Sequence, residues 1–303
     1  MSRAVVVGCG YVGIELGRRL AARGHDVTGV RRSDAGIETV RAAGLDAARA
    51  DATDAASLDA VPDADWLVFA ASSGGRDAAA AREVYVDGLA TTIRAFGDRS
   101  DPPDRLIYTS STGVYGDHGG EWVDETTPIE PTTAKTRVLA EAERIARERA
   151  PEHGIDGAVV RFAGLYGPDR YRLARYLDGP VTEGYLNMVH RDDAAGAIEH
   201  LLATDRARDA VVLAVDDEPV SKWAFADWLA GECGVPKPPK RTIAQRLADA
   251  DLSDAARRRL ETSKRCSNAR LRALGYAFRF PTYREGYRPA IEAFRRGRRS
   301  EAG

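Results

Sequence analysis

Short apolar runs alternate with amphipathic segments of helical period through about the first half of this 303-residue chain. "AVVVG" (4–8), "ADWLVFAA" (64–71) and "DRLIYTSS" (104–111) are continuous apolar runs of strand length, a pattern typical of strands covered on both faces. The segments between them, such as "YVGIELGRRLAARG" and the stretch at about 77–97, carry apolar residues at helical spacing. This alternation produces parallel βαβ units and predicts an α/β fold with a Rossmann-type, doubly wound parallel sheet.

Charge and cysteine content argue against several kinds of partner and site. The formal net charge is -2, so we expect neither nucleic acid nor an anionic membrane as a partner. Cys9, Cys233 and Cys266 are far apart and form no CxxC pair, which argues against a disulfide framework and a zinc site. No apolar run approaches membrane-spanning length. We therefore expect a cytoplasmic protein without a metal site.

The sequence GCGYVG joins the first strand to the first helix and places Gly8, Gly10 and Gly13 in GxGxxG register. The first glycine permits a tight turn, the second lets backbone approach a pyrophosphate, and the third lets the helix pack closely on the strand. The helix start at Tyr11 and Val12 offers backbone N–H groups and a partial positive charge to an anion. Because the strand–turn–helix context is present, these residues predict a dinucleotide-binding site.

The second predicted strand ends in "GVRRS", with Arg31 and Arg32 where an NAD-binding chain usually has an acidic residue. A pair of guanidinium groups suits the 2′-phosphate of NADP, because it supplies charge and forked donors. We therefore predict NADP as the coenzyme, with NAD as the alternative. The other interpretation of the two arginines is a pair of surface side chains without a ligand.

Two further strand ends are predicted to line the same site. Asp51, in "RADATD" after the third strand, is expected within reach of the adenine amino group. Ala70, Ala71 and Ser72, in "FAASSG" after the fourth strand, are expected to line the crevice for the pyrophosphate and ribose. The carboxyl ends of parallel strands meet at one edge of a sheet, so these residues belong to one predicted cleft.

The strand–helix regularity loosens after about residue 165. We predict an NAD(P)-binding Rossmann domain over 1–165, to which strands return from about 186–215. Residues 166–303 are predicted to form mainly a smaller C-terminal substrate or lid lobe, which is not an independent domain because no linker separates it. Segments at about 170–190 and 235–265 of this lobe would contact a small-molecule substrate.

Five segments, in the same order along the chain, resemble the extended branch of the short-chain dehydrogenase/reductases, the NAD-dependent epimerase/dehydratase family. These segments are YTSSTGVYG, DETTPIEP, VRFAGLYGPDR, NMVHRDDAAGAI and CSNARLRALGYAFRFPTYREGY. In the third of them Arg161, Tyr166, Gly167 and Pro168 match the family's RxxxxYGPG turn, and the fourth supplies His190 and Asp193. The chain is most similar to atypical members that keep the nucleotide fingerprint but lose the usual catalytic helix pattern.

That departure lies in "PTTAKTRVLAEAE" (131–143). Typical members carry Tyr-x-x-x-Lys here, and the ammonium lowers the pKa of the phenol so that it exchanges a proton with the substrate. In the register set by Glu141, Thr133 occupies the tyrosine position and Arg137 the lysine position. The resemblance implies that Ser111 keeps the role of the family's serine and that Arg137 hydrogen-bonds the nicotinamide ribose.

The identity of the proton donor is therefore open. A threonine hydroxyl is far less acidic than a phenol, whose ordinary pKa is about 10. Beside Thr133, the candidate proton donors are Tyr115, Tyr166, Lys135, His118 and Glu125. Ser111, Thr112 and His190 are expected on the substrate side.

The predicted helices at about 77–97 and 132–149 carry apolar faces. Val86, Leu89 and Ile93 lie on the first, and Val138, Leu139 and Ile145 on the second. The resemblance implies that these helices pair in a homodimer, and intramolecular core is the equal alternative.

The sequence thus predicts an NAD(P)-dependent oxidoreductase that prefers NADP(H) and acts on a carbonyl or hydroxyl of a small molecule. The resemblance implies that this molecule is sugar-nucleotide-like. The alternative is a catalytically silent NADP(H)-binding sensor or interaction protein. The missing tyrosine favours the alternative, whereas Ser111 and the substrate-lobe motifs favour the enzyme.

Overall fold

The computed structural model describes residues 1–74, 77–249 and 252–301. Within these ranges seven parallel strands form one sheet, in the spatial order β7-β6-β5-β4-β1-β2-β3. The strands are β1 (Arg3–Val7), β2 (Asp26–Arg31), β3 (Asp46–Arg49), β4 (Trp66–Phe69), β5 (Arg105–Ser111), β6 (Asp156–Phe162) and β7 (Val211–Ala214). The strand order reverses between β1 and β4, so their carboxyl ends form the crevice where such sheets bind ligands. The predicted α/β fold is confirmed.

The helices in the described ranges follow the predicted alternation. They are α1 (Tyr11–Ala22), α2 (Asp34–Ala42), α3 (Ala55–Leu58), α4 (Ala78–Arg82), α5 (Leu89–Gly97), α6 (Ala134–Glu152), α7 (Leu173–Leu177), α8 (Arg191–Ala203), α9 (Lys222–Cys233), α10 (Ile243–Leu247), α11 (Asp254–Glu261), α12 (Ala269–Ala273), α13 (Tyr283–Gly286) and α14 (Arg288–Glu301). Ser221 caps α9, because its hydroxyl accepts a hydrogen bond from the Ala224 N–H.

The sheet is buried between helices, which explains the uninterrupted apolar runs. Val5 and Val6 of β1 and Leu67 and Val68 of β4 are almost fully buried. The helices α1 and α8 pack against each other, and α5 packs against α6. Covering both faces removes the polar alternation that a half-exposed strand would show.

The predicted helix at about 77–97 consists of α4, a π-helical segment (Glu83–Gly88) and α5. The six apolar residues predicted on this helix and on α6 are all buried inside the chain: Val86, Leu89, Ile93, Val138, Leu139 and Ile145. For these residues the structure shows intramolecular core. A homodimer through the two helices stays a prediction.

The C-terminal part of the chain builds a second apolar cluster. Tyr176, Phe225, Tyr283 and Tyr287 are buried in it, with Trp223 and Trp228 packed against them. Four two-stranded ladders connect this region: Tyr185–Leu186 with Val220–Ser221, Met188–His190 with Gly164–Tyr166, Lys240–Arg241 with Val181–Thr182, and Arg265–Cys266 with Trp122–Val123. The division of the chain near residue 165 stays a prediction. No helix in the described ranges is both long enough and apolar enough to cross a bilayer.

Candidate functional site

The turn between β1 and α1 has the geometry that its glycines predict. Gly8 has a φ of 77°, and a Cβ on it would lie 2.2 Å from the Cα of Ala71 after β4. A Cβ on Gly13 would lie 2.9 Å from Val6 Cγ1, so this glycine lets α1 approach β1. The first glycine is therefore required by backbone conformation and by space, and the third by space.

The start of α1 is open toward the same edge of the sheet. Gly10 is its N-cap residue, and no side chain caps the first turn, where Tyr11 and Val12 lie. The backbone N–H groups of a first helical turn lack intrahelical partners. Together with the helix dipole, they suit an anionic group such as a pyrophosphate.

Two arginines stand where β2 ends. Arg31 lies close to the fingerprint, since a Cβ on Gly10 would be 2.9 Å from its Nη1. Its Nε also lies over the start of α2, 2.6 Å from a Cβ built on Gly36. The Arg32 side chain is 73% exposed, and its Nη1 lies 3.4 Å from Asp51 Oδ2. The end of β2 therefore presents cationic groups and no acid.

Asp51 is held in place by its own turn. Its Oδ1 accepts hydrogen bonds from Thr53 N (3.0 Å) and Thr53 Oγ1 (2.8 Å). Burial acts to raise the pKa of Asp51, but the hydrogen bonds from Thr53 and Arg32 outweigh it and hold this pKa below its ordinary value. Asp51 therefore stays an acceptor at neutral pH. Its contact with adenine stays a prediction.

The ends of β1, β2, β3 and β4 enclose a cavity of about 230 Å³. It brings together Gly8, Arg31, Arg32, Asp51, Ala71 and Ser72 of the predicted coenzyme site. Its other lining residues are Val7, Val30, Ser33, Ala50, Ala52, Thr53, Ser73 and Val84. Ala70 donates its N–H to Val7 O (2.8 Å), which extends β4 beside the fingerprint. Residues from four separate segments thus meet as predicted from their places after strands.

Tyr11 joins the fingerprint to the turn after β6. Its hydroxyl donates to Pro168 O (2.9 Å), and the Arg170 guanidinium lies 4.0 Å from its ring centroid. A Cβ on Gly167, whose φ is 136°, would lie 3.0 Å from His190 Nε2. The YGP turn, the fingerprint and the start of α8 are therefore packed together.

His190 is a buried helix cap. It is 2% exposed, and its Nδ1 accepts the N–H of Asp192 at the start of α8. Burial lowers the pKa of His190 to about 4, although Asp192 opposes the shift, so the ring is neutral at physiological pH. Asp193, the family's other residue here, accepts from the backbone N–H groups of Arg279 and Phe280. A substrate contact by His190 stays a prediction.

Among the residues predicted to be catalytic, Thr133 and Ser111 form local hydrogen bonds, whereas Arg137 is exposed. The Thr133 hydroxyl accepts a hydrogen bond from the Thr136 N–H (3.1 Å), and the Thr136 hydroxyl accepts one from the Thr133 N–H. These two hydrogen bonds form a capping box. The Ser111 hydroxyl accepts the N–H of Gly113 (3.1 Å) at the carboxyl end of β5. Arg137 is exposed, and its guanidinium has no ion pair in the described part of the chain. Catalytic roles for these residues stay predictions.

Tyr115 belongs to a buried network. It is fully buried, its hydroxyl donates to Asp124 O (2.6 Å), and it accepts from Arg161 Nη1 (2.7 Å). Arg161 also forms a bidentate pair with Glu143 of α6, through Nη2 (2.7 Å) and Nε (3.0 Å). Ser110 donates to the same carboxylate (2.6 Å). This network ties β5, β6 and α6 together and engages the Tyr115 hydroxyl both as donor and as acceptor.

Three other candidate proton donors, Tyr166, His118 and Glu125, are also engaged or buried. Tyr166 is 2% exposed, and a Cβ on Gly286 would lie 2.1 Å from its hydroxyl oxygen. His118 Nε2 lies 3.0 Å from Tyr115 O. Glu125 accepts the N–H of Leu213 (2.8 Å), and burial raises the pKa of its carboxyl above the ordinary value. Thr112 is buried beside the Cys266 thiol.

Two residues of this region were missed by the sequence reasoning. Glu143 follows Leu139 by four positions and precedes Ala146 by three, so helical spacing already marks it as facing the core. Tyr85 lies in the π-helical segment beside Ser73, and no sequence pattern points to that contact. The first could have been found from periodicity, and the second required the fold.

A second cleft, of about 530 Å³, lies in the C-terminal region and is strongly basic. Arg172, Arg175, Lys222, Arg246 and Arg259 line it, and they come largely from the predicted substrate-contacting segments. Burial, and then the charge of Arg175, lower the pKa of Lys222. No carboxylate among the described residues pairs with Arg172, Arg175 or Arg259. A bound anion would relieve the repulsion between these like charges.

The family's sequence profile, NAD dependent epimerase/dehydratase, matches residues 4–212. The chain belongs to this family. It is similar to protein YeeZ of Escherichia coli K12, at 34% identity over 213 residues, which covers 67% of this chain and 73% of YeeZ. The expected resemblance is thereby confirmed at the level of the family.

Solved structures share the whole fold. A putative NAD-dependent epimerase/dehydratase from Methylobacillus flagellatus superimposes with a TM-score of 0.75 at 30% identity, covering 97% of this chain and 99% of that one. The UDP-glucose 4-epimerase of Thermus thermophilus, solved in complex with NAD, gives a TM-score of 0.75 at 20% identity, covering 97% and 99%. At that lower identity the likeness shows the fold alone.

Proposed function

We propose that this chain is an oxidoreductase of the extended short-chain dehydrogenase/reductase type that prefers NADP(H) and works in the cytoplasm. Its reaction is the reduction of a carbonyl, or oxidation of a hydroxyl, on a small sugar-nucleotide-like molecule. The observation that carries the proposal is the cleft at the ends of β1–β4, where the glycine turn faces Arg31 and Arg32 and β2 ends without an acid.

The residues of this cleft fit the coenzyme group by group. The Gly8 turn and the start of α1 would hold the pyrophosphate, and the guanidinium groups of Arg31 and Arg32 would hold the 2′-phosphate. Asp51 would accept from the adenine amino group. The bound coenzyme supplies hydride transfer at its nicotinamide.

The substrate side is supported by two features. Ser111 ends β5 at the same edge of the sheet and remains half-exposed, with a hydroxyl that can also donate to a substrate oxygen. The basic cleft around Arg175 and Lys222 suits a substrate that carries phosphate groups. Exposed Arg137, at the start of α6, is available to the nicotinamide ribose.

The test is to mix the protein with NADPH and a panel of carbonyl compounds, with and without phosphate groups, and to follow the absorbance of reduced nicotinamide. The expected result is turnover that favours the phosphate-bearing compounds. Binding of NADPH without turnover of any compound would instead support the catalytically silent sensor. Absence of binding would overturn both.

A further inference from the structure

Tyr85 is a buried phenol at the edge of the sheet where the coenzyme cleft lies. It is 7% exposed, and its hydroxyl accepts the N–H of Ser73 at 3.4 Å. Ser72 and Ser73 follow β4, and both line the cleft. The residue lies within the π-helical segment Glu83–Gly88, a kind of turn that is frequent at functional sites. The hydroxyl therefore contacts the backbone of a residue that lines the cleft.

A lysine from a different helix approaches the same ring. Lys135 lies in the first turn of α6, and its Nζ is 5.9 Å from the centroid of the Tyr85 ring. Burial acts to raise the pKa of Tyr85, but hydrogen bonding with Ser73 and Ser72 and the charge of Lys135 outweigh it and bring this pKa below its ordinary value of 10.0. A phenol beside an ammonium group is the arrangement suited to proton exchange near neutral pH.

Other tyrosines near the cleft are held differently. The hydroxyl of Tyr115 is fixed between Arg161 and Asp124, and that of Tyr11 donates to Pro168 O. Burial raises the pKa of Tyr115, although the charge of Arg161 opposes the shift, and burial raises that of Tyr11 to about 12. Neither offers an acidic phenol to a substrate.

We infer that Tyr85, assisted by Lys135, is the catalytic proton donor of this chain, a role that rests on the proposed oxidoreductase function. In the reducing direction the C=O π bond breaks, and the carbonyl oxygen takes the proton of the Tyr85 hydroxyl to form a new O–H bond. The carbonyl carbon receives its hydride from NADPH, the reductant. The Tyr85 phenolate then takes a proton from water, and Lys135 stabilises it in the meantime.

The first experiment requires neither substrate nor coenzyme. Protein labelled with carbon-13 at the tyrosine ζ-carbon is titrated, and the NMR shift of each tyrosine is followed against pH. Tyr85, assigned by loss of its signal in Tyr85→Phe, should ionise below the ordinary phenol pKa, and Lys135→Met should move its ionisation to higher pH. Tyr171→Phe is the control, because burial raises the pKa of that phenol.

If Tyr85→Phe does not fold, Lys135→Met still tests the inference. The tyrosine signal with the lowest pKa is visible in the wild-type spectrum, and Lys135→Met must move its pKa upward. The inference would be overturned if the tyrosine signal with the lowest pKa were still present in Tyr85→Phe. It would also be overturned if Lys135→Met left that pKa unchanged. These outcomes do not depend on NADPH binding, so they are distinguishable from a failure of the proposed function.

Activity supplies the second readout once a carbonyl compound from the panel is turned over. Tyr85→Phe should lower kcat by about 100-fold or more, the range of general acid catalysis, while KM and NADPH affinity change little. The reduction requires the protonated phenol, so its rate should fall as the pH rises through the pKa of Tyr85. Lys135→Met should move that fall to higher pH. An unchanged kcat in Tyr85→Phe would contradict the assignment.

Discussion

The coenzyme cleft and the start of α6 lie at the same edge of one sheet but differ in how their side chains are used. In the cleft, the Gly8 turn, Arg31 and Arg32 face an open cavity. At the start of α6, the Thr133 hydroxyl is used in a capping box, and Tyr115 is buried against Arg161. The side chains of the first region line an open cavity, whereas those of the second form hydrogen bonds within the chain.

This difference shows that family motifs carry two kinds of information. The glycine fingerprint specifies backbone conformation and close approach, so its geometry is kept wherever the turn is made. The positions of Thr133 and Arg137, which correspond to the family's tyrosine and lysine, specify only a place along a helix. When the side chains at those places change, local hydrogen bonds engage them. The proposed function then needs a proton donor on another element, which is the role we infer for Tyr85.

The largest expected effect is on the buried pair beside Tyr115. Glu143→Gln leaves the Arg161 guanidinium buried without its counter-charge, so the free energy of unfolding should fall by about 3–5 kcal/mol. Urea-induced unfolding of the wild-type protein and the variant measures this difference in the free energy of unfolding. The matched control is Glu148→Gln on the same helix, whose exposed pair with Arg144 should contribute less than about 1 kcal/mol. A loss as small as the control's would show that the region is not held by this network.

Part of this arrangement was predictable from sequence, for identifiable reasons. The sheet and the cleft follow from apolar runs and from the rule that parallel strands end at one edge. Arg31, Asp51 and Ser72 therefore meet around one cavity, as their places after strands predict, and their contacts with a coenzyme stay predictions. The pairing of Glu143 with Arg161 joins residues 18 positions apart through the packing of α6 on β6, which no local pattern encodes.

Tyr85 marks the limit of sequence reasoning. Ala81, Tyr85 and Leu89 recur at helical spacing, and all three are buried. The role we infer for it rests on the contact of its hydroxyl with Ser73 and on the approach of Lys135 from another helix. Both contacts depend on tertiary packing, so only the fold could reveal them.

The next effect in size concerns the glycine turn. Gly8→Ala places a Cβ 2.2 Å from Ala71 Cα at a positive φ, so the backbone must shift and NADPH binding should be lost. Gly24→Ala is the matched control, because its φ of 82° is similar but no atom lies within 4 Å of the added Cβ. The control should lose only about 1–2 kcal/mol of stability and keep its affinity for NADPH. If a fluorescence titration gave the same NADPH affinity for the two variants, coenzyme binding at the Gly8 turn would be refuted.

The smallest effect concerns the cap of α6. Thr133→Ala removes the capping hydroxyl and should lower the free energy of unfolding by about 1 kcal/mol, with NADPH affinity unchanged. Thr133→Ser keeps the capping oxygen and should restore most of the loss in thermal unfolding. If Thr133→Ala abolished turnover of a panel compound without loss of stability, Thr133 would be a catalytic residue after all, and the contrast between the two regions would fail.

The most direct measurement is the ratio of the dissociation constants for NADPH and NADH, determined by fluorescence titration at low salt. Charge-assisted hydrogen bonds from Arg31 and Arg32 to the 2′-phosphate predict that NADPH binds about 10-fold more tightly or better. Replacing both arginines by alanine should abolish this preference and leave NADH affinity unchanged, whereas Arg41→Ala, at the far end of α2, should preserve it. Equal affinities in the wild-type protein, a preference for NADH, or no binding of either coenzyme would contradict the account.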